Sequence, residues 1–215
     1  AVQKWRQETK ARQDLEKDKI SSELSFLKAQ INPHFFFNTL NNIYSLTMFN
    51  VELAQKALHT LSRMMRYVLY DTQADRTPLS KELAFVQDYI DLMKLRLTDK
   101  VQVIFEQPNS LADVPIAPML LLPFIENAFK YGVSTDEPSQ IYIGIKQQHK
   151  HLEIEVRNTL FTQKRVMLDE SNGIGLINTR RRLDLLYPAN YTLKINEKTP
   201  DNEFVVYLAL DLWWP

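Results

Sequence analysis

The chain has 215 residues, 45% of them hydrophobic, which suits one large domain or two small domains with a real core. Its 26 basic and 26 acidic residues cancel, and this balance argues against a large nucleic-acid interface. The absence of cysteine excludes disulfides, thiolate metal sites and cysteine catalysis. No uninterrupted apolar run is long enough to cross a bilayer.

Residues 1–19 are charged and mixed in sign, which is typical of a solvated or frayed helix and also of a helix that connects to an upstream module. Apolar residues then recur at helical spacing on both sides of Pro33 and His34 and predict a helix that runs to about Asn50. A proline inside a helix costs about 3 kcal/mol and usually kinks it. Such a kink would present the His34 ring; the alternative is a core histidine beside a tolerated proline.

A second helix with a wide apolar stripe follows. Two long amphipathic helices joined by a short turn cannot cover their own stripes, so we expect a hairpin that dimerises into a four-helix bundle. Residues 71–78 are the best linker candidate, and the predicted domains are therefore 1–75 and 76–215. The stripe comprises Leu53, Ala54, Ala57, Leu58, Leu61, Met64, Met65 and Val68.

The rest of the chain alternates helical and strand patterns. Ser80 is the predicted N-cap of a third helix that reaches Leu97. Helices are also predicted at 116–133 and 174–187, and a hairpin turn at 147–150. The fold class is therefore α+β, with helices on one face of a mixed sheet. Period-two alternation predicts strands at 101–105, 141–145, 152–156 and 193–195, and a longer apolar run predicts a strand at 204–212.

Three motifs in a fixed order characterise the chain. Residues 30–41, QINPHFFFNTLN, surround the histidine, and residues 118–132, PMLLLPFIENAFKYG, form an apolar helix whose polar residues come together at one end. Residues 172–183, NGIGLINTRRRL, place a glycine pair at the start of a helix. From about Leu24 on, the chain resembles sensor histidine kinases of the LytS type. The resemblance implies a dimerising histidine hairpin followed by a two-layer α/β ATP-binding sandwich of the gyrase–Hsp90–histidine kinase superfamily.

The resemblance implies that His34 is the phosphoacceptor. A free imidazole has a pKa of about 6.5, so one ring nitrogen usually has a lone pair at neutral pH and can attack the γ-phosphorus of ATP. Asn38 lies one turn later on the same face and would orient the ring or a water, or simply form a hydrogen bond. Glu126 is a further catalytic candidate, as a proton acceptor or beside the metal. The general base stays open, because Phe35 stands where the commonest histidine kinases have an acidic residue.

A second group of residues is implied to hold Mg²⁺ and ATP. Asn127 is the expected magnesium ligand, because its amide oxygen is a hard donor and Mg²⁺ usually takes few protein oxygens. Lys130 and Tyr131 would face the phosphates and the nucleotide, or else act as a helix C-terminal cation and a packing aromatic before the C-cap Gly132.

The third motif would complete the nucleotide site. The backbone amides of Gly173 and Gly175, together with Leu176, would approach the phosphates at a helix N-terminus. Residues 159–172 would form a lid over the nucleotide. Asn158 stands where the superfamily usually has an aspartate, and its carbonyl can still accept a hydrogen bond from the adenine amino group, without charge assistance.

The implied function is that of a bacterial two-component kinase. A homodimer would autophosphorylate on His34 and pass the phosphoryl group to an aspartate on the receiver domain of a response regulator. The resemblance also implies a cytoplasmic portion of an inner (plasma) membrane protein with spanning helices upstream. The chain adds that it begins at Ala1 without a signal peptide and has a charged helix before His34. The alternative is a catalytically weak or inactive nucleotide-binding scaffold, because Phe35, Pro123 and Asn158 depart from the usual pattern.

Overall fold

The computed structural model describes residues 5, 6, 10, 33–161 and 168–212, without the side chains at 33 and 168–174. The chain divides into two compact units, Ala1–Asn32 and Pro33–Pro215. The described residues of the first unit are helical and exposed, as predicted for a solvated helix. The rest of the predicted connecting helix, and with it the proline kink, lies outside the described residues. None of the helices in the described part is both long and apolar enough to span a bilayer.

The second unit begins with a helical hairpin. Helix α1 runs Pro33–Thr47 and helix α2 runs Val51–Tyr70. The side-chain oxygen of Asn50 accepts the backbone N–H of Leu53 at 3.0 Å, an N-cap bond that satisfies one of the unpaired donors of α2. The predicted hairpin is confirmed, with α1 ending at Thr47 rather than near Asn50.

The apolar stripe of α2 is partly buried within the chain and partly exposed. One part is buried within the chain, at Ala54, Ala57, Leu61 and Met64. The hairpin therefore covers only part of its apolar surface by contacts within the chain. Large apolar side chains of both helices and of the turn between them stay exposed, at Phe37, Leu40, Tyr44, Met48, Leu58, Met65 and Leu69.

The predicted linker is attached to the rest of the unit. A 3₁₀ turn occupies Asp71–Gln73, and strand β1 (Thr77–Pro78) pairs antiparallel with strand β3 (Pro115–Ile116). Between them, the Arg76 guanidinium lies 4.7 Å from the ring centroid of Tyr187 and donates to its hydroxyl. These contacts fasten the segment to the helix that ends beside Tyr187, while the boundary at residues 75 and 76 stays a prediction.

Helix α3 runs Leu79–Lys94, and Pro78 occupies its N-cap position without a side-chain bond. The prediction that Ser80 caps this helix is wrong. Ser80 lies in the first turn, where its backbone N–H and its hydroxyl each donate to the Asp113 carboxylate at 2.9 Å. An acidic side chain distant in sequence thus accepts one of the backbone N–H groups that have no partner within the first turn of the helix.

The described strands form one five-stranded mixed sheet of order β2-β4-β5-β7-β6, beside the small β1–β3 pair. Strand β2 runs parallel to β4, and the other neighbours are antiparallel. Along β5, buried and less buried residues alternate, so one face of the sheet packs on the core. The predicted strands are confirmed, and the turn predicted at 147–150 is present but is limited to residues 149 and 150, because β4 extends to Gln148. The bounds are β2 Val101–Glu106, β4 Ser139–Gln148, β5 His151–Thr159, β6 Tyr191–Asn196 and β7 Glu203–Asp211.

Two further helices pack beside the sheet, which confirms the α+β fold class. Helix α4 (Leu122–Tyr131) packs on β4 and β5 and against helix α5 (Leu168–Leu186). Helix α4 is shorter than the predicted 116–133, because a turn through Met119, with φ of 57°, precedes it. Helix α5 begins at Leu168 rather than near 174, so the last part of the predicted lid is helical. Residues 162–167 of that lid lie outside the described residues.

Candidate functional site

His34 lies in the first turn of α1 with its side chain exposed. The amide nitrogen of Asn38 is 3.1 Å from Nδ1 and 3.1 Å from Nε2 of this ring, so it can donate to whichever nitrogen is unprotonated. The predicted pairing of the two side chains on one helix face is confirmed. Asn38 can therefore orient the imidazole while the ring stays accessible.

The residue after the histidine fastens α1 to the rest of the unit. Phe35 is buried, and its ring centroid lies 4.9 Å from that of Tyr89 on α3. Tyr89 in turn meets Phe129 of α4 edge-on, with centroids 5.9 Å apart. This aromatic chain connects the histidine helix to the helix that bears Asn127. Phe37, two residues further along α1, is exposed.

Glu126 and Asn127 lie side by side on α4, and both are half-buried. Pro123 stands in the first turn of this helix, where its missing N–H costs no hydrogen bond. Burial raises the pKa of the Glu126 carboxyl to about 7, and the nearby Lys130 ammonium opposes that rise. Burial and the charge of Glu126 also raise the pKa of Tyr89. Glu126 can therefore exchange a proton near neutral pH.

We expect Glu126→Gln to remove a pH-dependent loss of stability. Because the folded pKa is raised from 4.5 to about 7, the unfolded chain ionises first as pH rises, and the wild-type protein loses stability between these values. The free energy of unfolding of the variant, relative to that of the wild type, should therefore rise by on the order of 2 kcal/mol from pH 5 to pH 8. Urea unfolding at both pH values measures this. The exposed Glu137→Gln serves as control; an equal gain in both variants would refute the assignment.

The C-terminal end of α4 holds two of the predicted nucleotide contacts. The Lys130 ammonium lies over the Tyr131 ring, 4.9 Å from its centroid. The Tyr131 hydroxyl is buried and has no hydrogen-bond partner within the described part of the chain. Such an unpaired buried polar atom needs a partner from outside the described residues. A bound nucleotide is one group that would supply it.

Asn158 lies at the end of β5 and is 1% exposed. Its amide nitrogen donates to the backbone carbonyl of Thr159 at 2.9 Å. A Cβ at Gly132 would stand 2.5 Å from the Asn158 Cβ and 2.6 Å from the carbonyl oxygen of Ala128. Gly132 is the C-cap of α4, as predicted, and it is required there by this close approach, since its φ of −91° is open to any residue. The end of the Asn127 helix and Asn158 are thus in contact.

The structure differs from prediction at the glycine pair. Gly173 and Gly175 lie within α5 and do not open it, so their amides are not at a helix N-terminus. Gly175 is exposed, and a Cβ added to it would meet nothing within 4 Å. Neither packing nor backbone conformation demands a glycine at 175 here. Leu176, next to it, is half-buried.

The donors around α4 fit Mg²⁺ and nucleotide but not a metal held by protein alone. Among the described residues, no group of three or more histidine, cysteine, aspartate or glutamate side chains could hold a metal ion. Asn127, with Glu126 beside it, offers the few oxygens that Mg²⁺ takes when phosphates and water complete its shell. The unpaired Tyr131 hydroxyl and the buried Asn158 amide supply polar groups for a nucleotide.

The sequence prediction missed a buried polar pair, Glu82 and Arg182. Glu82 is completely buried on α3, and Arg182 is 5% exposed on α5. The spacing contained a signal for Glu82, because it lies three residues after Leu79 and four before Val86 and therefore on the apolar face. An acidic residue inside an apolar stripe indicates a partner in the core.

A family model described as histidine kinase matches residues 22–101. The chain is 31% identical to the sensor histidine kinase YpdA of Escherichia coli, over 87% of this chain and 34% of YpdA. It is 32% identical to the sensor protein LytS of Enterococcus faecalis, over 77% of this chain and 30% of LytS. A solved histidine kinase domain from Erythrobacter litoralis aligns at 11% identity with a TM-score of 0.47, over 91% of this chain and 96% of that one. The chain spans about a third of the length of the curated relatives it matches.

Proposed function

Because this chain belongs to the LytS-type sensor histidine kinase family, we propose that it is the kinase core of a two-component system. It autophosphorylates His34 from Mg²⁺-ATP and transfers the phosphoryl group to an aspartate of a response regulator. The observation that carries this proposal is the arrangement of α1. His34 is exposed and paired with Asn38, while Phe35 holds the helix against the aromatic chain that leads to the Asn127 helix.

The first step forms one bond and breaks one. A ring nitrogen of His34 donates its lone pair to the γ-phosphorus, the bond to the β–γ bridging oxygen breaks, and ADP leaves with that electron pair. The proton on the other ring nitrogen passes to an acceptor, and Glu126 is suited to this role because its pKa is about 7. In the second step a carboxylate oxygen of the receiver aspartate attacks the phosphorus, and the nitrogen–phosphorus bond breaks with its electron pair returning to the ring. The ring takes back one proton, from Glu126 or from water, and neutral imidazole is restored.

The chain's contribution to the first step is position and charge. Asn127 would hold Mg²⁺, which when bound neutralises phosphate charge. Asn158 would accept a hydrogen bond from the adenine amino group. Lys130 and Tyr131 lie at the C-terminal end of α4, the end that contacts Asn158. The amides of Gly173 and Gly175 would reach the phosphates only if the first turns of α5 rearrange, because in the helix they point along its axis.

We expect Gly175→Ala to stabilise the fold and weaken nucleotide binding. The site is an exposed helix position with open space around it, so alanine should add about 1 kcal/mol of stability through helix propensity. A methyl group would keep the backbone from approaching phosphate, and a stiffer helix would resist opening, so ATP affinity should fall about tenfold. Thermal unfolding and calorimetric titration measure the two effects. A variant that is more stable and binds ATP as tightly as wild type would show that Gly175 is not part of the nucleotide site.

We expect Asn158→Leu to weaken ADP binding about tenfold, because it removes the carbonyl that accepts the adenine amino group. Asn158→Asp keeps an acceptor and should bind ADP, but it loses the donor to the Thr159 carbonyl and should unfold at a lower temperature. The two variants thus separate recognition from stability. Equal ADP affinity in the leucine variant and the wild type would show that Asn158 does not bind adenine.

The exposed apolar side of the hairpin supports a homodimer. Phe37 and Tyr44 are each 67% exposed on α1, and Leu58 and Met65 extend the surface on α2. A second hairpin would cover these side chains in a four-helix bundle. We infer from family membership that helices upstream tie this core to the plasma membrane. The proposed partner is the receiver domain of a response regulator.

Incubation with γ-labelled ATP and Mg²⁺ tests the proposal. A kinase of this type acquires label that is lost in acid and kept in alkali, the behaviour of a phosphorus–nitrogen bond. A chain that binds nucleotide but acquires no label would instead be the nucleotide-binding scaffold.

A further inference from the structure

A buried carboxyl group joins helix α2, helix α3 and the turn that precedes α4. Glu82 on α3 is completely buried and accepts the hydroxyl hydrogen of Tyr67 on α2. It also accepts the backbone N–H of Met119 at 2.8 Å and that of Leu121 at 3.2 Å. Burial raises the pKa of Glu82, and these donors oppose the rise. One side chain thus binds the hairpin and the turn before α4.

A buried guanidinium holds the other side of the same turn. Arg182 on α5 donates to the backbone carbonyl of Met119 at 2.9 Å and to that of Pro118. Within residues 118–121, α3 therefore holds the N–H groups of Met119 and Leu121, and α5 holds the carbonyls of Pro118 and Met119. We call Glu82 and Arg182 the turn clamp.

The turn has a conformation that needs such support. Met119 has a φ of 57°, in the left-handed region that a non-glycine residue rarely adopts without enforced surroundings. Leu121 is the N-cap of α4, the helix that bears Asn127. Glu82 therefore holds the N-cap residue of that helix through its backbone N–H. The turn clamp consequently fixes the start of α4 relative to α5.

We propose that Glu82 and Arg182 are positioning residues for the nucleotide site. By clamping the turn at 118–121, they set where Asn127 on α4 stands relative to the glycine motif on α5. This inference rests on the proposed function, because it requires that these two helices bind Mg²⁺-ATP between them. Neither residue touches the nucleotide in this account; both act through the backbone of the turn.

The same helix offers a matched control. Asp88 is another buried acidic residue of α3, 3% exposed, and it binds Arg63 of α2 with 2.6 Å between Nε and Oδ2. None of its described contacts reaches the turn at 118–121. Asp88→Asn therefore disturbs a buried carboxyl and the α2–α3 contact without loosening the turn clamp.

The test compares Glu82→Gln, Arg182→Lys and Asp88→Asn in the full chain. Tyr67 and Met119 share one carboxyl oxygen and Leu121 uses the other, so a glutamine amide must lose one set of acceptor bonds in either orientation. Lysine keeps the charge of Arg182 but cannot span two carbonyls. Affinity for a fluorescent ATP analogue with Mg²⁺ is measured well below each thermal midpoint. At such a temperature every variant is folded, so a lower affinity reports a displaced nucleotide site and not a loss of global stability.

We expect Glu82→Gln to weaken binding about tenfold and Arg182→Lys about threefold, while Asp88→Asn stays within about twofold of wild type. If Glu82→Gln does not fold, Arg182→Lys decides alone. Wild-type affinity in the clamp variants, or an equal loss in Asp88→Asn, would overturn the inference while leaving the proposed function intact. A wild-type protein that binds no nucleotide would overturn the proposed function itself, and the inference with it.

Discussion

Replacement of His34 by glutamine is expected to abolish phosphorylation by Mg²⁺-ATP and to leave nucleotide binding unchanged. Glutamine has no ring nitrogen with a lone pair to attack phosphorus, yet it fits an exposed helix position and can still meet the Asn38 amide. Stability should stay within about 0.5 kcal/mol of wild type, since the side chain is on the surface. Label incorporation and calorimetric ATP titration measure the two properties.

His59→Gln is the matched control, because His59 is an exposed histidine on the neighbouring helix α2. It should incorporate label at the wild-type rate. Label retained at the wild-type level in His34→Gln would remove His34 from the reaction, and loss of nucleotide binding in that variant would indicate a structural role.

Asn127→Ala is expected to eliminate Mg²⁺-dependent ATP binding, with an affinity loss of about a hundredfold. The helix offers one other oxygen donor beside it, Glu126, whose raised pKa leaves it partly protonated near neutral pH and a weaker ligand for a cation. Calorimetry with and without Mg²⁺ measures the loss. Label incorporation should fall with it.

Asn41→Ala, an exposed asparagine on α1, controls for the loss of an amide. It should bind ATP as wild type does, with the same dependence on Mg²⁺. Unchanged affinity and unchanged Mg²⁺ dependence in Asn127→Ala would mean that the ion, if needed, is held elsewhere.

Much of the fold was predictable because its elements carry their own periodicity. Buried and less buried residues alternate along the whole of β5 and the first half of β4, and the two hairpin helices have clear stripes, so local pattern and tertiary burial agree there. The errors arise where a distant residue decides the outcome. Asp113 satisfies the start of α3 in place of a local cap at Ser80. The start of α5 before the glycine pair had no comparable signal, since glycine disfavours a helix interior.

The sequence motifs were sufficient to predict the candidate site residues, but not the distant residues that hold those motifs in place. His34, Asn38 and Asn127 were identified from short runs of sequence, and the first two are adjacent as expected. Glu82 meets the turn it holds across 37 residues of chain, and Arg182 meets it across 63. Such pairings follow from the packing of helices on the sheet, which a local pattern does not encode.

We propose above that the γ-phosphoryl group of ATP is transferred to His34. The most direct measurement is localisation of the phosphoryl group by mass spectrometry of peptides prepared at neutral to alkaline pH, after incubation with Mg²⁺-ATP. We expect a single phosphorylated peptide with the modification on His34, and none from Asn127→Ala. Phosphate on His59, His149, His151 or a hydroxyl residue, with His34 unmodified, would contradict it.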